Sequence, residues 1–157
     1  MVWNNLWRLN LPGPQTNLQV QKAGDGFLVE KEIEFSAATE DDVFEVTGLV
    51  ALKVVGVCTE RVTDHGDNAS LGTSDSTQAL IANTTGANLH AGNVGALWVD
   101  AAPQTSSKIK ADAFDADMAV VNGDDIVVTS TANINSGKIK FYCWWKPISA
   151  NGDVAPA

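Results

Sequence analysis

Apolar and polar residues alternate along most of this chain in short runs broken by turn formers. The runs are FLVEKEIEF (27–35), VFEVTGLVALKVVGVCTERV (43–62), QALIAN (78–83), ALWVD (96–100), SKIKA (107–111), DMAVV (117–121), DIVVTSTA (125–132) and KIKFYCWW (138–145). Most are rich in β-branched or aromatic residues, and DHGDN, TTGAN, NGDD and NINSG stand between them as turn formers. The 43–62 run is too long for one ordinary strand and is expected to break near Thr47-Gly48. That yields about nine strands, and no segment has a convincing helical period. The pattern predicts an all-β protein: a single antiparallel β-sandwich, jelly-roll-like, with an extended N-terminal arm.

The faces of two strands can be read directly. In the first, Val29, Lys31, Ile33 and Phe35 share one side and Leu28, Glu30, Glu32 and Glu34 the other, so one side is wet. In the last, Ile139, Phe141, Cys143 and Trp145 form the expected core face. Tyr142 and Trp144 then lie on the opposite face, among Lys138, Lys140 and Lys146. Paired aromatics on an outward face call for a cover. A second protein surface, the other sheet or the N-terminal arm could each supply it.

Residues 1–26 read as that arm, residues 27–149 as the sandwich and residues 150–157 as a mobile C-terminal tail. In the arm, Trp3, Trp7, Leu9 and Leu11 are apolar, and Pro12-Gly13-Pro14 imposes an extended or turning path. Charge divides the chain in the same place. The whole 157-residue chain has a formal net charge of -9. Residues 1–22 hold Arg8, Lys22 and no acid, giving +2, so the rest holds 8 bases and 19 acids, giving -11. A weakly basic arm on an acidic body suits capture by a complementary neighbour, and the overall balance argues against nucleic acid as a partner.

No run of 18 apolar residues offers a membrane span, and MVWNNLWRLNLPGP does not read as a secretory signal, so synthesis in the cytoplasm is expected. Cys58 and Cys143 form no CxxC and sit in apolar runs, which favours two core thiols over a disulfide between them. Asp64, His65 and Asp67 crowd one glycine, and Asp112, Asp115, Asp117, Asp124 and Asp125 flank strands. The first group lacks an ion-binding ligand series; the second could cradle calcium between adjacent loops, but strand-flanking Asp residues are usually turn formers, so no metal and no cofactor is expected. His65 and His90 are the only candidate bases, and no Ser or Cys stands in a recognised nucleophile setting; no catalytic residue is assigned and the chain reads as a non-enzyme.

Three stretches carry a resemblance: Val46–Val57 in a strand pair of the type VTGxVxVKVxGV, Ala79–Thr85 with Trp98–Pro103, and Asn122–Pro147. Together they cover roughly residues 43–149, and they resemble small virion structural proteins of tailed bacteriophages, most of all capsid decoration or cement proteins. The resemblance implies a small β-sandwich that self-associates, trimers preferred, and binds the phage major capsid protein. It implies a place on the capsid exterior of the virion after assembly in the host cytoplasm. The interface residues expected on this basis are Trp3, Trp7, Arg8 and Leu9 of the arm with Tyr142 and Trp144 of the last strand. A tail or neck protein fits the same resemblance, and a carbohydrate-binding sandwich stacking sugars on an exposed Trp98 or Trp144 is the alternative of another class.

Overall fold

The computed structural model describes residues 26–36, 40–63, 68–85, 89, 94–99, 118–131, 134 and 136–157. Two antiparallel sheets of five strands each face one another. The strands are β1 (Phe27–Glu34), β2 (Glu40–Thr47), β3 (Leu49–Glu60), β4 (Asn68–Thr73), β5 (Ile81–Thr85), β6 (Leu97–Trp98), β7 (Ala119–Asn122), β8 (Ile126–Ser130), β9 (Lys138–Pro147) and β10 (Asp153–Pro156). The first sheet runs β1-β9-β3-β6, with β7 also paired to β3; the second runs β10-β2-β8-β4-β5. The chain changes sheet at each step from β1 to β4, then again between β5 and β6 and at every step from β7 to β10. This crossing is consistent with the jelly-roll-like arrangement expected from the strand pattern.

The predicted faces explain why the sheets adhere. Ile33 on β1 and Phe35 just after it, Val50 and Leu52 on β3, and Ile139, Phe141, Cys143 and Trp145 on β9 turn inward from the first sheet. Phe44, Val46, Leu71, Ile81, Ile126, Val128 and Val154 meet them from the second. A register shift between Asp42 and Phe44 lets consecutive Val43 and Phe44 both join the core. At the expected break, Gly48 has a φ of 63°, a left-handed turn conformation that separates β2 from β3.

Several elements differ from the sequence reading. The last residues are not a mobile tail: β10 pairs with β2, and Val154 is buried opposite Val46. One apolar residue among small and polar neighbours shows no alternation, yet the free edge of β2 satisfies its backbone. Pro156 is tolerated because β10 is itself an edge. The inward Lys31 donates from Nζ to the main-chain oxygen of Ala157, tying β1 to the end of β10. β4, NASLGT, was not expected as a strand, since Asn, Ser and Gly are poor strand formers. It becomes one because β8 and β5 clamp it on either side. The QALIAN strand starts three residues later, at Ile81, because residues 74–80 are taken up in a loop folded back on β4. The SKIKA run lies outside the described residues.

Candidate functional site: the outward face of the first sheet

β9 is the second strand of its sheet, with β1 on one side and β3 on the other. Tyr142 and Trp144 therefore stand inside a sheet face and not at its margin. Glu30 and Val55 flank Tyr142, and Leu28 and Lys53 flank Trp144. The Tyr142 and Trp144 rings stack, with centroids 6.2 Å apart and planes at 27°. Both rings point away from the inter-sheet core, as the alternation predicted, and both are half-buried. Val55 beside them is only 3% exposed, so this face shelters apolar surface of its own. Leu28 at its margin is 47% exposed.

An ion-pair ladder borders the aromatic pair. Lys140 Nζ donates to Glu30 Oε1 at 2.8 Å and lies 5.4 Å from the centre of the Tyr142 ring. Lys138 Nζ lies 3.6 Å from a Glu34 carboxylate oxygen and 3.5 Å from one of Glu60. Thr59 donates to Glu32 Oε2 at 2.8 Å. The charge of Glu34 holds the Lys138 ammonium above its ordinary range, and the hydrogen bond from Lys140 to Glu30 does the same for Lys140. Glu30, Glu32 and Glu34 on β1 thus meet Lys138 and Lys140 on β9. The sequence showed both charge runs, but their antiparallel register, Glu34 opposite Lys138 and Glu32 opposite Lys140, comes from the fold.

Other expected residues lie elsewhere. Trp3, Trp7, Arg8 and Leu9 fall outside the described residues, as do His65, His90 and the Asp64–Asp67 and Asp112–Asp117 groups. Trp98 is not exposed: it is 2% exposed, packs on Phe141 at 5.9 Å between centroids, and donates from Nε1 to Thr84 Oγ1 at 2.9 Å. The alternation around it was too short to show which way it pointed. Cys58 and Cys143 are buried free thiols. Burial pushes Cys143 up to about 12 and raises Cys58 as well, so both are poor nucleophiles. Among the described residues no group of three His, Cys, Asp or Glu side chains could hold a metal ion, and no helix is long and apolar enough to cross a membrane.

Asp124 and Asp125 serve the turn between β7 and β8. Asp125 Oδ1 accepts from the Val46 amide at 2.8 Å, and Asp124 accepts from the Ser74 hydroxyl. Hydrogen bonds from Ser74 and then Thr73 hold the Asp124 carboxyl below its ordinary range. This turn and the loop 74–80 border a groove of about 330 Å3, walled by Leu80, Ala79 and Thr73 on one side and Ala119, Val120 and Val121 on the other. Asp75, Asn122 and Asp124 complete its lining. Sequence reasoning missed the groove because its walls come from segments some forty residues apart, with no shared motif.

No protein family, curated protein or solved structure matches this chain.

Proposed function

We propose that this chain is a non-enzymatic capsid decoration protein of a tailed bacteriophage. It binds a shell of major capsid protein on the outside of the virion and stabilises it through contacts between its own subunits, trimers preferred, and through its N-terminal arm. The observation that carries this reading is the stacked Tyr142–Trp144 pair in the middle of an outward sheet face, bordered by ordered charges. An aromatic centre with a polar rim is how protein-binding surfaces are built. Full burial of one such ring is worth about 2 to 3 kcal/mol, and these two, already partly buried, have at most about a third of that still to gain. The two-sheet sandwich and the stretches that resemble phage virion proteins support the same setting.

Co-sedimentation with empty shells of major capsid protein tests the proposal. The full chain should pellet with the shells, and Tyr142→Ala/Trp144→Ala should stay largely in the supernatant while keeping its β-rich circular dichroism. Equal pelleting of both proteins removes the role of this face, and failure of the full chain to pellet removes the capsid reading. The carbohydrate alternative has lost Trp98 to the core, and glycan-array binding abolished by Trp144→Ala would be needed to restore it.

A further inference from the structure

The outward face of the first sheet extends well beyond its aromatic pair. Trp144 stands between Leu28 of β1 and Lys53 of β3, and one row along the sheet Ala51 of β3 stands between Lys146 of β9 and Val120 of β7. Residues directly opposite each other share a face, so Val120 points outward with Ala51, Lys146 and Trp144. Leu28 is 47% exposed and Val120 62%. An apolar band therefore crosses the sheet from β1 to β7, three strand spacings or about 14 Å, with the Tyr142 and Trp144 rings in its middle. A band of this kind needs a cover before any shell is met.

Charge decides what can supply it. Lys140 is bonded to Glu30 at 2.8 Å, and Lys138 stands 3.6 Å from Glu34 and 3.5 Å from Glu60. Because these rim charges satisfy one another, the covering surface has to bring apolar groups and no net charge. The same face of another copy meets that requirement. The second sheet does not: its five strands carry Glu40, Asp41, Asp42, Glu45 and Asp153 with no Lys or Arg, a formal -5, whereas the strands of the first sheet carry five Lys and four Glu, a formal +1. Two second-sheet faces repel each other. Laying the second sheet of one copy on the first sheet of the next sets carboxylates over aromatic rings, and because the two faces lie on opposite sides of the sandwich the contact repeats into a fibre without closing. First sheet on first sheet closes after two copies.

The size of the face sets the strength of the contact. Residues 138–146 of β9 run for about 27 Å and four strands span about 19 Å, which gives about 500 Å2 per copy and about 1,000 Å2 for a pair. That is the smallest area at which a specific interface holds, so the pair is reversible and yields to a better-fitting surface.

We propose that the outward face of the first sheet packs against the same face of a second copy about a two-fold axis, and that this pair is the form the chain takes before it meets a shell. Leu28, Tyr142, Trp144 and Val120 lose their remaining exposure in it. The inference deepens the proposed function and rests on its reading of this face as a protein-docking surface: attachment to a shell exchanges one cover for another.

The test uses the full chain and no capsids. In sedimentation equilibrium the average mass should rise from one copy to two as concentration increases through the micromolar range. Val120→Lys, at an exposed position, and separately Tyr142→Ala/Trp144→Ala should hold the mass at one copy with circular dichroism unchanged. Glu45→Lys, exposed on the second sheet, should leave the rise in place. One copy at every concentration, a rise that survives Val120→Lys, a rise abolished by Glu45→Lys, or a plateau at three copies would each overturn the two-fold pair. Co-sedimentation separates this result from the capsid reading: a chain that pairs but does not pellet loses the shell and keeps the pair, and one that pellets without pairing loses the pair and keeps the shell.

Discussion

Gly72→Ala should be a strongly damaging single-methyl change, for a reason of space alone. Gly72 lies in β4 opposite Val127 of β8, on the face turned away from the core. A Cβ at this position would sit 2.1 Å from the Ser76 carbonyl oxygen and 2.4 Å from the Thr77 carbonyl carbon. Both obstacles are backbone, so no side chain can swing aside. Restoring even a tight 3.4 Å contact requires the loop to lift by about 1.3 Å. The loop is held at that height by Thr73 N to Ser76 O, Ser76 N to Thr73 O and Leu80 N to Leu71 O, each 3.0 Å. Overpacking of this kind costs about 1 to 3 kcal/mol, and a strained or broken buried backbone bond adds about 1 more. Roughly 3 kcal/mol is therefore expected, a large share of the 5 to 15 kcal/mol that stabilises a typical domain. In a chain of this size the midpoint of thermal unfolding should fall by about 6 to 12 °C. Urea unfolding followed by tryptophan fluorescence measures the difference. Gly95→Ala is the control: its φ of 88° strains any L-residue, but nothing lies within 4 Å of the added carbon. That strain is worth about 1 to 2 kcal/mol. A Gly72→Ala protein within about 0.5 kcal/mol of wild type, or one less damaged than Gly95→Ala, would refute the placement of the loop over β4.

Trp98→Phe should cost about 2 kcal/mol by the same urea assay, from the lost bond to Thr84 and the space left beside Phe141; an unchanged midpoint would show that Trp98 does not lie in the core. Asp124 is a carboxyl held below its ordinary 3.8, so its contribution is fully present above that value and is lost as pH falls through the lowered one. Wild type should therefore lose stability in acid more steeply than Asp124→Asn, as thermal melts between pH 5 and pH 2 would show, and parallel profiles would contradict the Ser74 contact. Lys138 and Lys140 are half-buried and raised, so their pairing is fully present below 10.5 and lost only as pH rises through their elevated values; Lys140→Met should change stability at neutral pH only slightly, with salt reducing even that. Cys58 and Cys143 should react with a thiol reagent at neutral pH only as fast as the protein opens, and rapid labelling of native protein at Cys143 would contradict its burial.

What the sequence determined by itself was local and periodic. Alternation in 27–35 and 138–145 assigned the inward Ile33, Phe35, Phe141, Cys143 and Trp145 and set Tyr142 and Trp144 on the other side, because a strand's period of two leaves no freedom once one face is buried. Thr47-Gly48 announced its break because a left-handed turn there favours glycine. Tertiary structure decided whatever depended on a partner strand. β4 and β10 have weak patterns of their own and exist because neighbouring edges needed their backbone groups satisfied. Trp98 was placed in the core by Phe141 and Thr84, residues 43 positions ahead of it and 14 behind, which no local window contains. The charge ladder required the β1–β9 register, and the groove required β7 to come to rest beside the loop that Gly72 admits. Periodicity records which face a residue takes; only the packed sheets record which residue it meets there.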